Sequence, residues 1–337
     1  MAKAKTPTIV DVAAEAGVSK SAVSRALLGQ GEVSPATRRR IESAAKRLGY
    51  VANAMARGLV SSRTKTLGLI LRDVRKPYYS YLQAGVQHQA ERRDYRIVTT
   101  TNAGESAVDD ALTEIKNLIS LQVDGLVIAP ARLPTDEFSN FISRVPIVVA
   151  GRREDTVGIS SVACDDAEGG RELAHHLLGL GHRRISVVLV DDTYSLRYGT
   201  RGHAMIQAIN DAGATAAVIN SPTDLASAEM VRAQLDGLDA SAIMCPNDAA
   251  AIDVLEVLRL HGTTALDQYS VTGYDGYGPL SAPYLGLTTY RTPQEEVGRT
   301  AINLLADRIE GITDHDRFVS LRGTVIPGRT ARPYRAP

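Results

Sequence analysis

The sequence predicts an α/β protein in two parts: a small all-α helix-turn-helix head, then a large two-lobed body with parallel sheets. Three observations carry this prediction. Two short amphipathic helical segments separated by Gly17 open the chain. From Thr66 onward, strand-length apolar runs alternate with helix-length patterns, as parallel α/β sheets require. The body holds about 270 of the 337 residues, long for one such sheet, so two lobes with a cleft between them are expected.

Composition bounds the class. Hydrophobic residues make up 44% and charged residues 23%, ordinary values for a globular protein with a sizeable core. The opening Met1–Thr8 has no apolar stretch, so no secretory signal is expected, and no apolar run approaches the roughly 18 residues a membrane span needs. Cys164 and Cys245 are the only cysteines and form no CxxC pair, which fits a reducing, cytoplasmic setting. The zero formal charge hides an asymmetry. Residues 1–65 hold twelve Lys or Arg against four Asp or Glu, a net of +8, and the rest of the chain carries −8. A basic head on an acidic body points to a polyanionic partner. Charge alone leaves a solvated surface equally open.

The head is justified element by element. Thr8 can cap a helix, with Asp11 three residues on as its capping-box partner. Ile9, Val12, Ala13 and Ala16 then share a helical face. Gly17 turns the chain in a left-handed conformation and Ser19 is a second cap. The next helix turns Val23 and Leu27 inward and leaves Lys20, Ser21, Ala22 and Arg25 outward. A third helix starts at Ser34–Pro35 and stops at Gly49. Two short helices joined by a tight Gly turn form the helix-turn-helix, whose second helix enters the major groove.

The stretches Thr8–Ser19 and Ala22–Leu27 resemble the head of the lac-repressor (LacI/GalR) family of bacterial transcriptional regulators, with Ala22 where members usually have Thr. The resemblance implies that Lys20, Ser21 and Arg25 read bases. Arg is suited to this because it grips guanine O6 and N7 bidentately. It also implies that Thr8, Ser19, Ser24 and Thr37 touch phosphates, which sets register. Plain capping by Thr8 and Ser19, and a solvated helix face at Arg25, are the structural alternatives.

Residues 50–60 resemble the family's hinge, with Ala52 in place of its usual Pro. A helix over Ala54–Leu59 would be under two turns, too short to be stable alone. The resemblance implies that Asn53, Ala56 and Leu59 act at the minor groove, Leu59 as a wedge in the central base step. Packing of Leu59 in a linker is the alternative. The expected organisation is a DNA-binding domain at 1–52, a hinge and linker at 53–65, and an effector and dimerisation domain at 66–337.

In the body, strands are expected at Thr66–Leu71, Arg96–Thr100, Gly125–Ala129, Ile147–Ala150, Ile185–Val190, Ala242–Cys245 and Ser270–Tyr274, with final strand signals around Phe318–Ile326. Helices are expected at Ala107–Leu121, Glu168–Leu180 and Asn247–Leu260. Pro77-Tyr78-Tyr79, Val123–Ile128, Gly181–Ile185 and Val271–Asp275 extend the resemblance over nearly the whole chain and to the periplasmic sugar-binding proteins that share the fold. One lobe is expected at about 66–163 plus 291–320 and the other at about 164–290 plus 321–337. Ligands of such sheets bind at the carboxyl ends of strands. The resemblance maps effector contacts onto Asn247, Asp275 and Arg201, and more weakly onto Asp73, Tyr78, Tyr79 and Asp165. A loop-capping role for Asp275 and a structural ion pair for Arg201 stand beside those readings. The absence of Trp, Leu225 where some members place an aromatic platform, Gly286 for a usual Pro and Thr292 for a frequent Gln argue against a standard hexose.

Catalysis finds no support. GxxxxGK[ST], GxSxG and HExxH are missing, and His175 and His176 point apart on a helix, so no metal or cofactor is expected. The predicted protein is a repressor that binds near-palindromic double-stranded operator DNA as a homodimer, under control of a small-molecule effector such as a sugar.

Overall fold

The computed structural model describes residues 7–28, 33–51, 63–101, 108–129, 133–262 and 268–335. The chain divides into an N-terminal unit that runs to Lys65 and takes in Ser120–Gln122, and a second unit made of Thr66–Ile119 and the chain from Val123 onward.

The first unit is three helices: α1 (Ile9–Ala16), α2 (Lys20–Leu28) and α3 (Pro35–Leu48). Thr8 closes a capping box with Asp11 at the start of α1. Gly17 ends α1 at φ 61, a left-handed turn that costs other residues far more, and Val18 N–H reaches back to the Ala13 carbonyl at 3.0 Å. Ser19 accepts from Ala22 N–H at 3.2 Å, and Ser34 accepts from Thr37 N–H at 3.2 Å with Pro35 in the first turn. Each such cap stabilises its helix by about 1 kcal/mol. Val12, Ala13, Ala16, Val23, Ala26, Ile41, Ala44 and Ala45 form the core. Leu27, expected inward, is half-buried, and Ala26 takes the buried position instead. Arg38 donates to the Ala26 carbonyl at 2.6 Å, which ties α3 to the end of α2.

The second unit contains two six-stranded sheets. The first runs β11-β5-β4-β3-β1-β2, from β1 (Thr66–Leu71), β2 (Arg96–Thr101), β3 (Gly125–Ala129), β4 (Ile147–Ala150), β5 (Ile159–Cys164) and β11 (Phe318–Leu321), all parallel. The second runs β12-β10-β9-β8-β6-β7, from β6 (Arg184–Val190), β7 (Thr215–Ser221), β8 (Ala242–Met244), β9 (Ser270–Asp275), β10 (Thr288–Arg291) and β12 (Thr324–Ile326). Only the β10–β12 pair is antiparallel among the described residues.

Period-2 patterning sets the faces. Leu67, Leu69 and Leu71 of β1 enter one core with α4 (Pro77–Arg92) and α11 (Gln294–Ile309), while Ile70 joins the opposite face with α5 (Val108–Ser120). α6 (Thr135–Phe138) adds Phe138 to that second face. In the other lobe, α7 (Asp166–Gly179) and α8 (Leu196–Asp211) cover one face, and α9 (Ser227–Arg232) and α10 (Asp248–Leu260) cover the other. Both faces are covered, which is why the central strands read as continuous apolar runs.

The chain crosses between lobes at Cys164–Asp166, Arg291–Gln294 and Leu321–Thr324. β5, β7 and β10 are not among the expected strands. β5 and β10 are rich in Ser and Thr, and β7 is an edge strand, so none is a long apolar run. Gly286 adopts φ 66, a value closed to the Pro that usually precedes this strand in the family. Both cysteines are free and buried.

Candidate functional site

The head exposes its predicted reading surface. Lys20, Ser21 and Arg25 project from α2 into solvent, and the Arg25 Nε donates to the Ser21 carbonyl at 3.4 Å. Thr8 and Ser19 cap helices, a role compatible with a phosphate contact. Ser24 and Thr37 are half-buried, and the Ser34 hydroxyl donates to Thr37 Oγ1 at 2.9 Å. Asn53, Ala56 and Leu59 lie outside the described residues.

In the second unit, the segments after β1, β4, β6, β7, β8 and β9 converge on a cavity of about 270 Å³. This lies near the lower end of small-molecule sites, roughly 300–1,000 Å³. It sits at the carboxyl ends of both sheets, the location that strand-order reversal favours. Tyr78, Tyr79, Asn247 and Asp275 line it as expected.

Three expected residues do not line the cavity. Asp165 is the N-cap of α7, and its carboxylate accepts from Glu168 N–H at 2.9 Å. Asp73 holds Arg75 through two bonds of 2.9 and 3.0 Å. Arg201 is fully buried behind the cavity and donates to Asp166 at 2.7 Å, to Asp275 at 3.4 Å and to the Pro246 carbonyl at 3.0 Å. Here the structural ion pair describes Arg201, because Asp166 and Asp275 sequester its charge.

Asp224 is a hub that sequence reasoning missed. Its carboxylate accepts from Tyr194 at 2.8 Å, from Asn247 at 2.8 Å and from Tyr198 at 3.4 Å. It also pairs at 2.8 Å with Lys76, a residue of the opposite lobe. Burial works against the Asp224 charge, but Lys76, Tyr194 and Asn247 outweigh it and hold the pKa below the usual carboxylate range. Burial likewise opposes the Lys76 charge, and the surrounding Tyr198 and Asp224 more than reverse that effect. Asn247 spends its other amide atom on the Ala250 N–H at 2.8 Å, as the cap of α10. Ring contacts also join the lobes: Tyr81 stacks on Tyr277 with centroids 4.2 Å apart, and the Arg197 guanidinium lies 4.0 Å from the Tyr78 ring centroid.

Asp275 sits at φ 107, a conformation that costs a non-glycine residue about 1–3 kcal/mol and that concentrates at functional sites. Its carbonyl accepts from Thr292 N–H at 3.1 Å, so the Thr that replaces a frequent Gln supports this turn. Burial raises the Asp275 pKa, offset in part by Arg201 and Arg197. Asp248, also lining the cavity, is pushed up to about 7 by burial and by Asp275, against bonds from Thr289 and Gly276 N–H.

A group whose folded pKa is raised adds stability below its unfolded pKa and loses it as pH rises through the folded value. Asp248 therefore weakens the folded state progressively from about pH 4 to about 7. The stability of wild type minus that of Asp248→Asn should fall as pH rises across this window. A difference that stays flat in denaturant titrations between pH 5 and 8 would refute the assignment.

The arrangement is that of a ligand-responsive DNA-binding regulator: a basic helix-turn-helix unit and a two-lobed cleft lined by tyrosines and by paired charged groups. Comparison with known proteins makes the class specific. Residues 8–53 match the model for bacterial regulatory proteins of the lacI family, and residues 174–331 match a periplasmic binding protein-like domain. The HTH-type transcriptional regulator CelR of Thermobifida fusca is 30% identical over 328 residues, covering 93% of this chain and 95% of CelR. The HTH-type transcriptional repressor CytR of Escherichia coli K12 is 27% identical over 315 residues, 90% of each chain. A CelR–cellobiose complex superposes with a TM-score of 0.67 at 28% identity, covering 96% of this chain and 99% of that one. A lac repressor dimer bound to operator and the anti-inducer ONPF has the same fold, with a TM-score of 0.84 at 22% identity over 97% of this chain and 100% of that one. The chain belongs to the lacI family of bacterial regulatory proteins. It is a sequence-specific DNA-binding transcriptional regulator and not an enzyme. Among the described residues, no helix is long and apolar enough to cross a membrane.

Proposed function

We propose that the protein represses transcription as a homodimer on a near-palindromic operator, and that a hydroxyl-bearing metabolite of sugar type in the cleft sets its operator affinity. The carrying observation is the Asp224 hub. One buried carboxylate, one amide and two phenols meet at a ligand-sized cavity, and Lys76 joins them from the other lobe. Such convergent donors and acceptors suit hydroxyl groups, and a group bound there acts on both lobes at once. The relatives support the reading: CytR is described as a repressor and CelR has been solved with cellobiose. Tyr78, Tyr79, Asn247 and Asp275 are the effector contacts from the sequence reading, joined by Asp224 and Lys76. Asp73 and Arg201 act one layer behind them. The work is done in the cytoplasm, where two free cysteines stay reduced.

On the DNA side, Lys20, Ser21 and Arg25 read bases, and Thr8, Ser19, Ser24 and Thr37 set register on phosphates. Arg25→Ala should weaken operator binding by about 1–3 kcal/mol and relax specificity at one base position. Unchanged affinity in footprinting would remove Arg25 from the groove. A thermal-shift screen of sugars and nucleosides, followed by footprinting with each hit, tests the whole scheme. No hit that alters operator binding would sink it. Sedimentation should find a dimer, and a monomer bound to a single half-site would contradict the assembly.

A further inference from the structure

We propose that the effector carries an acidic group, a carboxylate or a phosphate, gripped by Arg72 from one lobe and Arg197 from the other. This rests on the effector reading above and narrows its chemical class. Both arginines line the cavity. Arg72 directly follows β1, is half-buried, and pairs with no carboxylate among the described residues. Its guanidinium lies 5.2 Å from the ring centroid of Tyr194, a residue of the opposite lobe. Arg197, on α8, donates through Nε to Asp166 at 2.9 Å and rests on Tyr78 of the first lobe. Its Nη2 is buried and has no hydrogen-bond partner among the described residues. Each arginine thus leans on a tyrosine of the other lobe.

The remaining cations of the cavity are already committed. Arg75 pairs with Asp73, Lys76 with Asp224 and Arg152 with Glu154. Asp166 pairs with both Arg197 and Arg201, and Asp275 with Arg201, so those two arginines and two carboxylates balance. Asp248, pushed up to about 7 by burial and by Asp275, is only partly ionised near neutral pH and spends its oxygens on Thr289 and the Gly276 N–H. A half-buried cation without a partner is costly. A neutral sugar hydroxyl would leave Arg72 without an anionic partner. An oxyanion satisfies both arginines through charge-assisted bonds, the geometry for which guanidinium groups are suited.

The test uses the full-length protein at fixed ionic strength with D-glucose, D-glucuronate, D-glucose 6-phosphate and inorganic phosphate, read by calorimetry and thermal shift. At least one of the anions should bind saturably, and at least about tenfold more tightly than glucose. Arg72→Gln should erase that preference. Arg197→Gln should do the same, but it also strips Asp166 of a partner, so Arg72→Gln decides. The proposal is overturned if no anion binds, if glucose binds as tightly, or if the preference survives Arg72→Gln. Glucose binding alone, abolished by Asn247→Ala, would reject the acidic group and leave the cleft reading standing. A cleft that no neutral or charged metabolite occupies would reject both.

Discussion

Arg201→Met should destabilise the sensor body by about 3–5 kcal/mol, the usual cost of stripping a buried charge pair of one partner. Arg201 is fully buried, and its guanidinium lies 3.7 Å from the Tyr274 ring centroid between Asp166 and Asp275. Burial alone would strongly disfavour its charge, but Asp166 reverses this, so the pair is ionised on both sides. Met fills similar volume, which separates loss of charge from loss of packing. After the substitution Asp166 keeps Arg197, whereas the Asp275 carboxylate loses its only side-chain hydrogen-bond donor among the described residues. Urea unfolding should show a lowered midpoint, and the melting temperature should fall by the order of 10 °C. A loss under about 1 kcal/mol would mean that the charge box is worth no more than a surface pair. Asp275→Asn made in the same chain should recover part of the loss, because it removes the stranded carboxylate.

The Arg201 network marks the limit of what the sequence makes legible. The head is legible almost residue by residue, because caps, Gly17 and the apolar face of α1 are local signals. The parallel sheets are legible through their central strands, where both faces are covered. Arg201 is found by its spacing before Ala204-Met205, yet spacing cannot show that Asp166 takes its charge and turns it away from the cavity. Asp224 is out of reach for a different reason. It follows β7, an edge strand in which exposed and half-buried positions outnumber buried ones. With β7 unrecognised, the loop carrying Asp224 cannot be assigned to the carboxyl end of a sheet, although its neighbour Leu225 stands at a ligand-platform position of the family. Arg72, Lys76 and Arg197 carry no sequence signal beyond their charge. Their meaning comes from two lobes meeting, with partners 148 residues apart in the Lys76–Asp224 case.

That long-range pair sets the second large effect. Asp224→Ala should cost about 3 kcal/mol and abolish the effector response, with operator binding in the absence of effector retained. The substitution removes the acceptor shared by Lys76, Tyr194, Tyr198 and Asn247, and Asp224 is itself only 4% exposed at its side chain. Asp224→Asn separates the two contributions. It keeps an oxygen for the Tyr194 hydroxyl but ends the charge pairing with Lys76, so its deficit should be intermediate. The pH dependence identifies the charge. Asp224 has a lowered pKa, so its contribution is present above the unfolded carboxylate value and fades as pH falls through the folded one. The stability gap between wild type and Asp224→Asn should therefore hold steady from pH 6 to 8 and narrow below about pH 4. A gap that persists undiminished in acid would assign the effect to hydrogen-bond geometry alone. An effector response that survives Asp224→Ala would show that the interlobe link between Lys76 and Asp224 is not how the bound metabolite acts on both lobes.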